Sequence, residues 1–403
     1  MKRTSPIALR ALAIALALGV ASIPLLPSTG MGQQAVRLVA AAPTAPAPDT
    51  LHAAIAAFRD QLRRDVEADG VGGITAAVVV GDRMVWAEGF GWADRDARIP
   101  AGIETIYRTG SISKPITAIV LAQLADRGVL DLDDPVTLYL PEAAGFVEWP
   151  EGVGPEAVTF RRLATHTAGL IREPRLQGAA AGPIEEWEAK VIESIAHTGF
   201  LAEPGERVSY SNIGFGTLGL ALGRAEGRSF MDQVVEGIFE PLGMRSSSFV
   251  VPAELEPMLA TGYQNRADGT INAEGPAREH GGRGYKVPNG GIYSTVGDMA
   301  RLVAAMSGRA GETLMSEAMR REMLRRQTPG DGASGYGIGW NVRERDDGRV
   351  FVGHGGSVAG YTAHAVFEPE SGIGVILFRN YNSGATNLGG AATRLLDQLL
   401  TPR

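Results

Sequence analysis

Strand signals sit at the two far ends of this chain, and that separation constrains its fold more than any other feature. Residues 74–80 are a β-branched run, Gly81-Asp82-Arg83 a turn, and residues 84–92 a second strand broken by Gly89 and Gly91. Far downstream, residues 350–353, 361–367 and 372–378 read as three more short strands, with Pro369-Glu370-Ser371 turning between the last two. From about Pro115 to His280 the pattern is helical instead, as in residues 116–127, 192–198 and 214–224. Strands at both ends with helices between them predict an α+β fold. One largely antiparallel sheet is built from both termini, flanked by helices and carrying an inserted helical subdomain.

The boundaries follow from the same pattern. Leu51, Ile55, Phe58 and Leu62 recur at helical spacing, giving an amphipathic helix to about Ala68, and residues 387–400 read as a closing helix. Residues 49–403 are expected to form one catalytic-sized domain. Its sheet part takes about 49–114 and 285–403, and its helical part about 115–284. The segment 267–286 is Gly-rich and polar, and is expected to be mobile or to line a cleft.

Residues 1–48 carry a different signal. Lys2, Arg3 and Arg10 precede an apolar run over 11–23, the layout of a signal peptide, and an Ala/Pro stretch over 40–48 follows as a tether. The run is short for a spanning helix. Export to the periplasm or the exterior is expected, an uncleaved N-terminal anchor being the alternative and the one possible membrane tether.

Composition narrows the chemistry. With no cysteine, disulfides, thiol nucleophiles and cysteine zinc sites are excluded. Six histidines remain, none in an H-E-x-x-H pair, and nothing calls for a metal or an organic cofactor. The formal net charge is −7 with no basic block, which argues against a nucleic-acid partner. Lysines are only Lys2, Lys114, Lys190 and Lys286, so a catalytic lysine has few candidates.

Ser111-Ile112-Ser113-Lys114 precedes a strongly helical run. A spacing of three puts Ser111 and Lys114 on one helix face, with the serine where unpaired N–H groups favour negative charge. A buried lysine of lowered pKa is able to take the serine proton. An N-cap serine followed by a surface lysine reads equally well from this stretch alone. Tyr210-Ser211-Asn212 opens the 214–224 helix, where the tyrosine is placed to share the base role and Asn212 to hold the lysine and a substrate carbonyl. Tyr263-Gln264-Asn265 has the same spacing. His354-Gly355-Gly356-Ser357 ends the 350 strand, and its glycines allow a ligand to approach the backbone. A backbone N–H there, with that of Ser111, suits an oxyanion hole. The alternative is a turn with an exposed histidine.

Taken in order, six motifs carry a resemblance. They are Tyr107 to Lys114 (YRTGSISK), Leu163 to Leu170 (LATHTAGL), Tyr210-Ser211-Asn212, Pro241-Leu242-Gly243-Met244, Gly290 to Thr295 (GGIYST) and His354-Gly355-Gly356. The series resembles the class C β-lactamase-related serine hydrolases, a family that includes D,D-peptidases, D-aminopeptidases and esterases, over about residues 50–400. The resemblance implies a β-lactamase/transpeptidase-like fold with Ser111 as acylated nucleophile and Lys114 and Tyr210 as its base system. It further implies Asn212, His354, Gly355, Gly356 and Ser357 as substrate-binding residues, and a structural His166. Class C β-lactamases carry Lys-Thr-Gly where this chain has His354-Gly355-Gly356, which argues against efficient antibiotic hydrolysis. The implied partner is a small ester, amide, lactam or D-amino-acid peptide. A D,D-carboxypeptidase or D-aminopeptidase and a non-catalytic penicillin-binding sensor are the alternatives.

Overall fold

The computed structural model describes residue 46 and residues 48–311, 313–330 and 332–401. The expected signal segment and nearly all of the tether lie outside the described residues. Pro48, expected as the last tether residue, instead opens helix α1 (Pro48–Asp69), where proline suits a first helical turn. The described residues fall in one compact unit. Among them, no helix is long and apolar enough to cross a membrane.

The main sheet has eight strands: β1 (Gly73–Val80), β2 (Arg83–Asp94), β3 (Ile99–Pro100), β4 (Ser334–Tyr336), β5 (Asn341–Glu344), β6 (Val350–Val358), β7 (Tyr361–Glu368) and β8 (Ile373–Arg379). Their order is β3-β2-β1-β8-β7-β6-β5-β4, with every neighbouring pair antiparallel. The first and last strands meet in the middle, Ile74 opposite Arg379 and Val80 opposite Ile373. The sheet built from both ends of the chain is therefore present.

Period-two alternation decides what covers each face. Ile74, Ala76 and Val78 of β1, with Ile373, Val375 and Leu377 of β8, pack against α1 and the closing helix α5 (Leu388–Leu400). The intervening residues Ala77, Val79, Ile376 and Phe378 point the other way, into the core shared with α2 (Ser113–Asp126), α3 (Asn212–Glu226) and α4 (Val296–Met306). Burial on both faces explains why these antiparallel strands read as unbroken apolar runs rather than polar/apolar alternation.

Helix ends follow their caps. Ser211 accepts from Gly214 N–H at the start of α3, which stops at Gly227 with φ +68°. Helix α2 is buried along nearly its whole length. Two expectations need correction. The helix expected over 192–198 runs Trp187–Ile195, because Trp187, Val191 and Ile195 form its buried stripe. The His354-Gly355-Gly356-Ser357 motif lies inside β6 rather than at its end, since the ladder to β7 continues to Val358.

Candidate active site

Ser111 occupies a single 3₁₀ turn, Gly110–Ile112, immediately before α2. One side of the turn is pinned by the segment before α4. Thr109 donates to the Ile292 carbonyl from both N (3.0 Å) and Oγ1 (2.9 Å), and Ile292 N–H donates to Ser113 Oγ (3.2 Å). On the other side runs the edge of β6. Strand β5 pairs with β6 only as far as Gly353, which leaves that edge open from His354 onward. Bonded and non-bonded pairs alternate along the β6–β7 ladder from the tight Val358/Tyr361 closure, so Gly355 and Ser357 turn their N–H and C=O groups outward.

Two glycines permit the close approach. A Cβ on Gly356 would stand 1.9 Å from the Thr109 carbonyl oxygen and 3.1 Å from Ser111 N. Gly110 has φ +55°, and a Cβ there would stand 2.9 Å from Ser357 N. The backbone nitrogens of Ser111, in a first helical turn, and of Ser357, on the open strand edge, are thus brought close to one another. Two convergent N–H donors are what an oxyanion requires.

Lys114 is fully buried, and its Nζ touches three oxygens: Asn212 Oδ1 at 2.7 Å, the Asn289 carbonyl at 3.2 Å and Ser111 Oγ at 3.2 Å. Burial holds its pKa well below the usual lysine value, Arg172 and Lys286 add to the effect, and Glu173 opposes it. A neutral amine has two N–H bonds and one lone pair. In that neutral form the amide and carbonyl oxygens, which can only accept, take the two N–H bonds, and the lone pair is left for the Ser111 hydroxyl proton.

Tyr210 lies with its ring centroid 4.7 Å from Lys114 Nζ and 4.2 Å from the His166 ring. Burial raises the pKa of its phenol, while a hydrogen bond to Ser111 and the charge of Arg172 pull it back. His166 is buried in a left-handed conformation, φ +59°, and its Nδ1 accepts the Ser211 N–H at 3.1 Å. It therefore joins the Phe160–Ala164 helix and its following turn to the head of α3, in the structural place expected for it.

His354 departs from expectation. Its ring is buried, Nδ1 meets the Gly355 carbonyl at 2.6 Å, and Nε2 meets the Tyr336 hydroxyl at 2.5 Å. A carbonyl only accepts, so the proton sits on Nδ1 and Nε2 accepts from Tyr336. Burial and the neighbouring Lys114 lower its pKa to about 3, leaving a neutral ring with both nitrogens engaged inside the protein. The side-chain substrate contact expected of His354 is not what this placement offers; the strand's outward backbone faces the site instead. Tyr263-Gln264-Asn265 lies elsewhere, with the Tyr263 hydroxyl oxygen accepting the Arg95 N–H at 2.9 Å.

Asn289, Tyr336, Glu173 and Tyr285 carry no local sequence signal. Asn289 presents its carbonyl to Lys114, and Tyr336 holds His354. Glu173 accepts from Asn212 Nδ2 at 2.6 Å and lies 3.2 Å from Lys286 Nζ, and the Tyr285 hydroxyl also donates to it. A groove of about 430 Å³ opens here, lined by Glu173, Leu176, Ala179, Tyr285 and Lys286. The 267–286 segment thus ends by lining a cleft.

A profile of the Beta-lactamase family matches residues 58–400. The chain belongs to the Beta-lactamase family. Escherichia coli D-alanyl-D-alanine-carboxypeptidase/endopeptidase AmpH is 25% identical over 344 residues, covering 79% of this chain and 84% of that one. Beta-lactamase-like protein 2 of Dictyostelium discoideum is 27% identical over 350 residues, 83% of this chain but only 62% of the relative's length. Among solved structures, the octameric penicillin-binding protein homologue from Pyrococcus abyssi superposes with TM-score 0.71 at 27% identity, over 86% of this chain and 77% of its own. A class C beta lactamase superposes with TM-score 0.72 over 87% and 99%, and at 20% identity this shows a shared fold. Fold and family are those of the β-lactamase-type serine hydrolases.

Proposed function

We propose that this family member is an exported serine hydrolase that forms an acyl-enzyme on Ser111. The observation that carries the reading is the buried Lys114, whose two obligatory acceptors leave its third direction for Ser111 Oγ at 3.2 Å. In the first step Lys114 Nζ takes the hydroxyl proton as Oγ bonds to the substrate carbonyl carbon. The N–H groups of Ser111 and Ser357 stabilise the oxyanion. The intermediate collapses, the leaving group departs with the proton, and Tyr210 stands beside Lys114 as the phenol that shares this transfer. Water then adds to the acyl carbon by the same route and releases Ser111.

The substrate is a small ester, amide or β-lactam. Hydrolysis of D-amino-acid peptides is the second reading, supported by the name of the Escherichia coli relative. The charged N-terminal segment followed by residues 11–23 supports export. The test compares hydrolysis of a p-nitrophenyl ester, a chromogenic cephalosporin and a D-alanyl-D-alanine peptide, each with Ser111→Ala as control. Turnover lost in Ser111→Ala identifies the nucleophile and ranks the substrates. Turnover unchanged in that variant overturns the reading, and a parent inert to a fluorophosphonate favours a non-catalytic sensor.

A further inference from the structure

The polar side chains that face or act on Lys114 come from several of the elements packed around it. They are Ser111 on the nucleophile turn, Tyr210 and Asn212 at the head of α3, His166 behind Tyr210, Arg172 and Glu173 from the following loop, Lys286 from the Gly284–Lys286 turn, and His354 from β6. Glu173 brings the one negative charge among those acting on the lysine. Its two oxygens are used differently. Oε1 receives the Asn212 amide N–H at 2.6 Å, while Oε2 receives the Tyr285 hydroxyl and faces the Lys286 ammonium at 3.2 Å.

An amide has one accepting and one donating end, and here the two ends meet opposite demands. Lys114 Nζ needs the oxygen, at 2.7 Å, and a carboxylate accepts only from the nitrogen end. We infer that Glu173 is the positioning residue of the base: it fixes the Asn212 amide in the orientation that presents oxygen to Lys114, and Lys286 and Tyr285 hold Glu173 in place. The inference rests on Lys114 acting as the base. Glu173 also sets the base's charge environment, because its carboxylate favours the protonated lysine while Lys286 and Arg172 disfavour it.

That opposition gives a test with two signs. The probe is a fluorophosphonate, whose rate of labelling Ser111 needs the nucleophile and base but no natural substrate. The rate is followed from acid to neutral pH in the full-length protein. Lys114 accepts a proton only when deprotonated, so the acid limb of the profile reports its pKa. Glu173→Gln keeps a hydrogen-bonding partner for Asn212 but removes the charge, and the limb is expected to move to lower pH. Lys286→Met is expected to move it to higher pH. Glu173→Ala, which frees the amide to turn, is expected to slow labelling at the plateau by about tenfold or more. Profiles of Glu173→Gln and Lys286→Met that overlay the parent's, or shift in the same direction, overturn the inference. So does a Glu173→Ala variant whose plateau rate is unchanged and only whose KM for the ester rises, since that is the behaviour of a groove wall. A parent that is never labelled instead overturns the hydrolase reading beneath it, so the two failures are distinguishable.

Discussion

Replacing Gly356 by alanine tests whether the edge of β6 and the nucleophile turn work as one unit. The new Cβ would stand 1.9 Å from the Thr109 carbonyl oxygen, where real contacts essentially never fall below 3.0 Å, so strand and turn must part by about 1.1 Å. The atoms it meets are all backbone, and no side chain can swing aside. Overpacking of this kind costs about 1–3 kcal/mol, a fall of several degrees in thermal midpoint at roughly 2–4 °C per kcal/mol. The catalytic cost is larger. Oxyanion donors act within about 2.7–3.1 Å, and losing one lowers kcat by roughly 10²–10³. Gly356→Ala is therefore expected to lose about 10²-fold or more in Ser111-dependent ester kcat, measured well below its midpoint. Gly355→Ala is the control. Its Cβ would meet the His364 ring at 3.2 Å and then nothing closer than 3.8 Å, and that ring can yield. It is expected to stay within a few-fold of the parent. The reasoning fails if Gly356→Ala keeps kcat within tenfold, or if both variants lose activity equally.

Lys114→Met removes the base and, with it, the partner of Asn212 Oδ1; ester turnover is expected to fall at least about 10²-fold while circular dichroism stays native. Leu396→Ala on α5 empties a fully buried site on the sheet face opposite Ser111. It is expected to cost about 2–5 kcal/mol in urea unfolding with turnover per folded molecule unchanged. Acid stability should follow the buried histidines. Burial lowers the pKa of His354 to about 3 and of His280 and His364 to about 4. Below about pH 6.5 the unfolded chain takes up protons that the folded rings refuse, so stability is full above that pH and declines as pH falls toward 4. A urea midpoint that does not move between pH 7 and 5 would contradict this.

Much of this is legible in the sequence. The strands were visible because double-sided burial writes an unbroken apolar run, as in residues 74–80, and Ser111 with Lys114 because three residues along a helix suffice to join them. What stayed hidden depends on distance along the chain. Glu173 reaches Asn212, Asn289 reaches Lys114 and Tyr336 reaches His354 only through tertiary packing, and each lies in an unremarkable stretch. The interior place of His354 is hidden for a related reason. Two glycines after a short apolar run read as a strand's end, yet Gly355 and Gly356 stay paired to His364 and Ala363, carrying the histidine into the interior.

The pairing of β1 with β8 also sets the order in which activity arrives during synthesis. Ser111, Lys114, Tyr210 and Asn212 leave the ribosome long before residues 350–379, which supply both the strand behind the nucleophile and the sheet's central partner. Closing contacts of such sequence separation is entropically costly and slow. A nascent chain therefore carries every side chain of the proposed base and nucleophile without the Ser357 backbone that completes the oxyanion site. Competence comes only with the last strands, so a hydrolase assembled this way stays silent while it is being made.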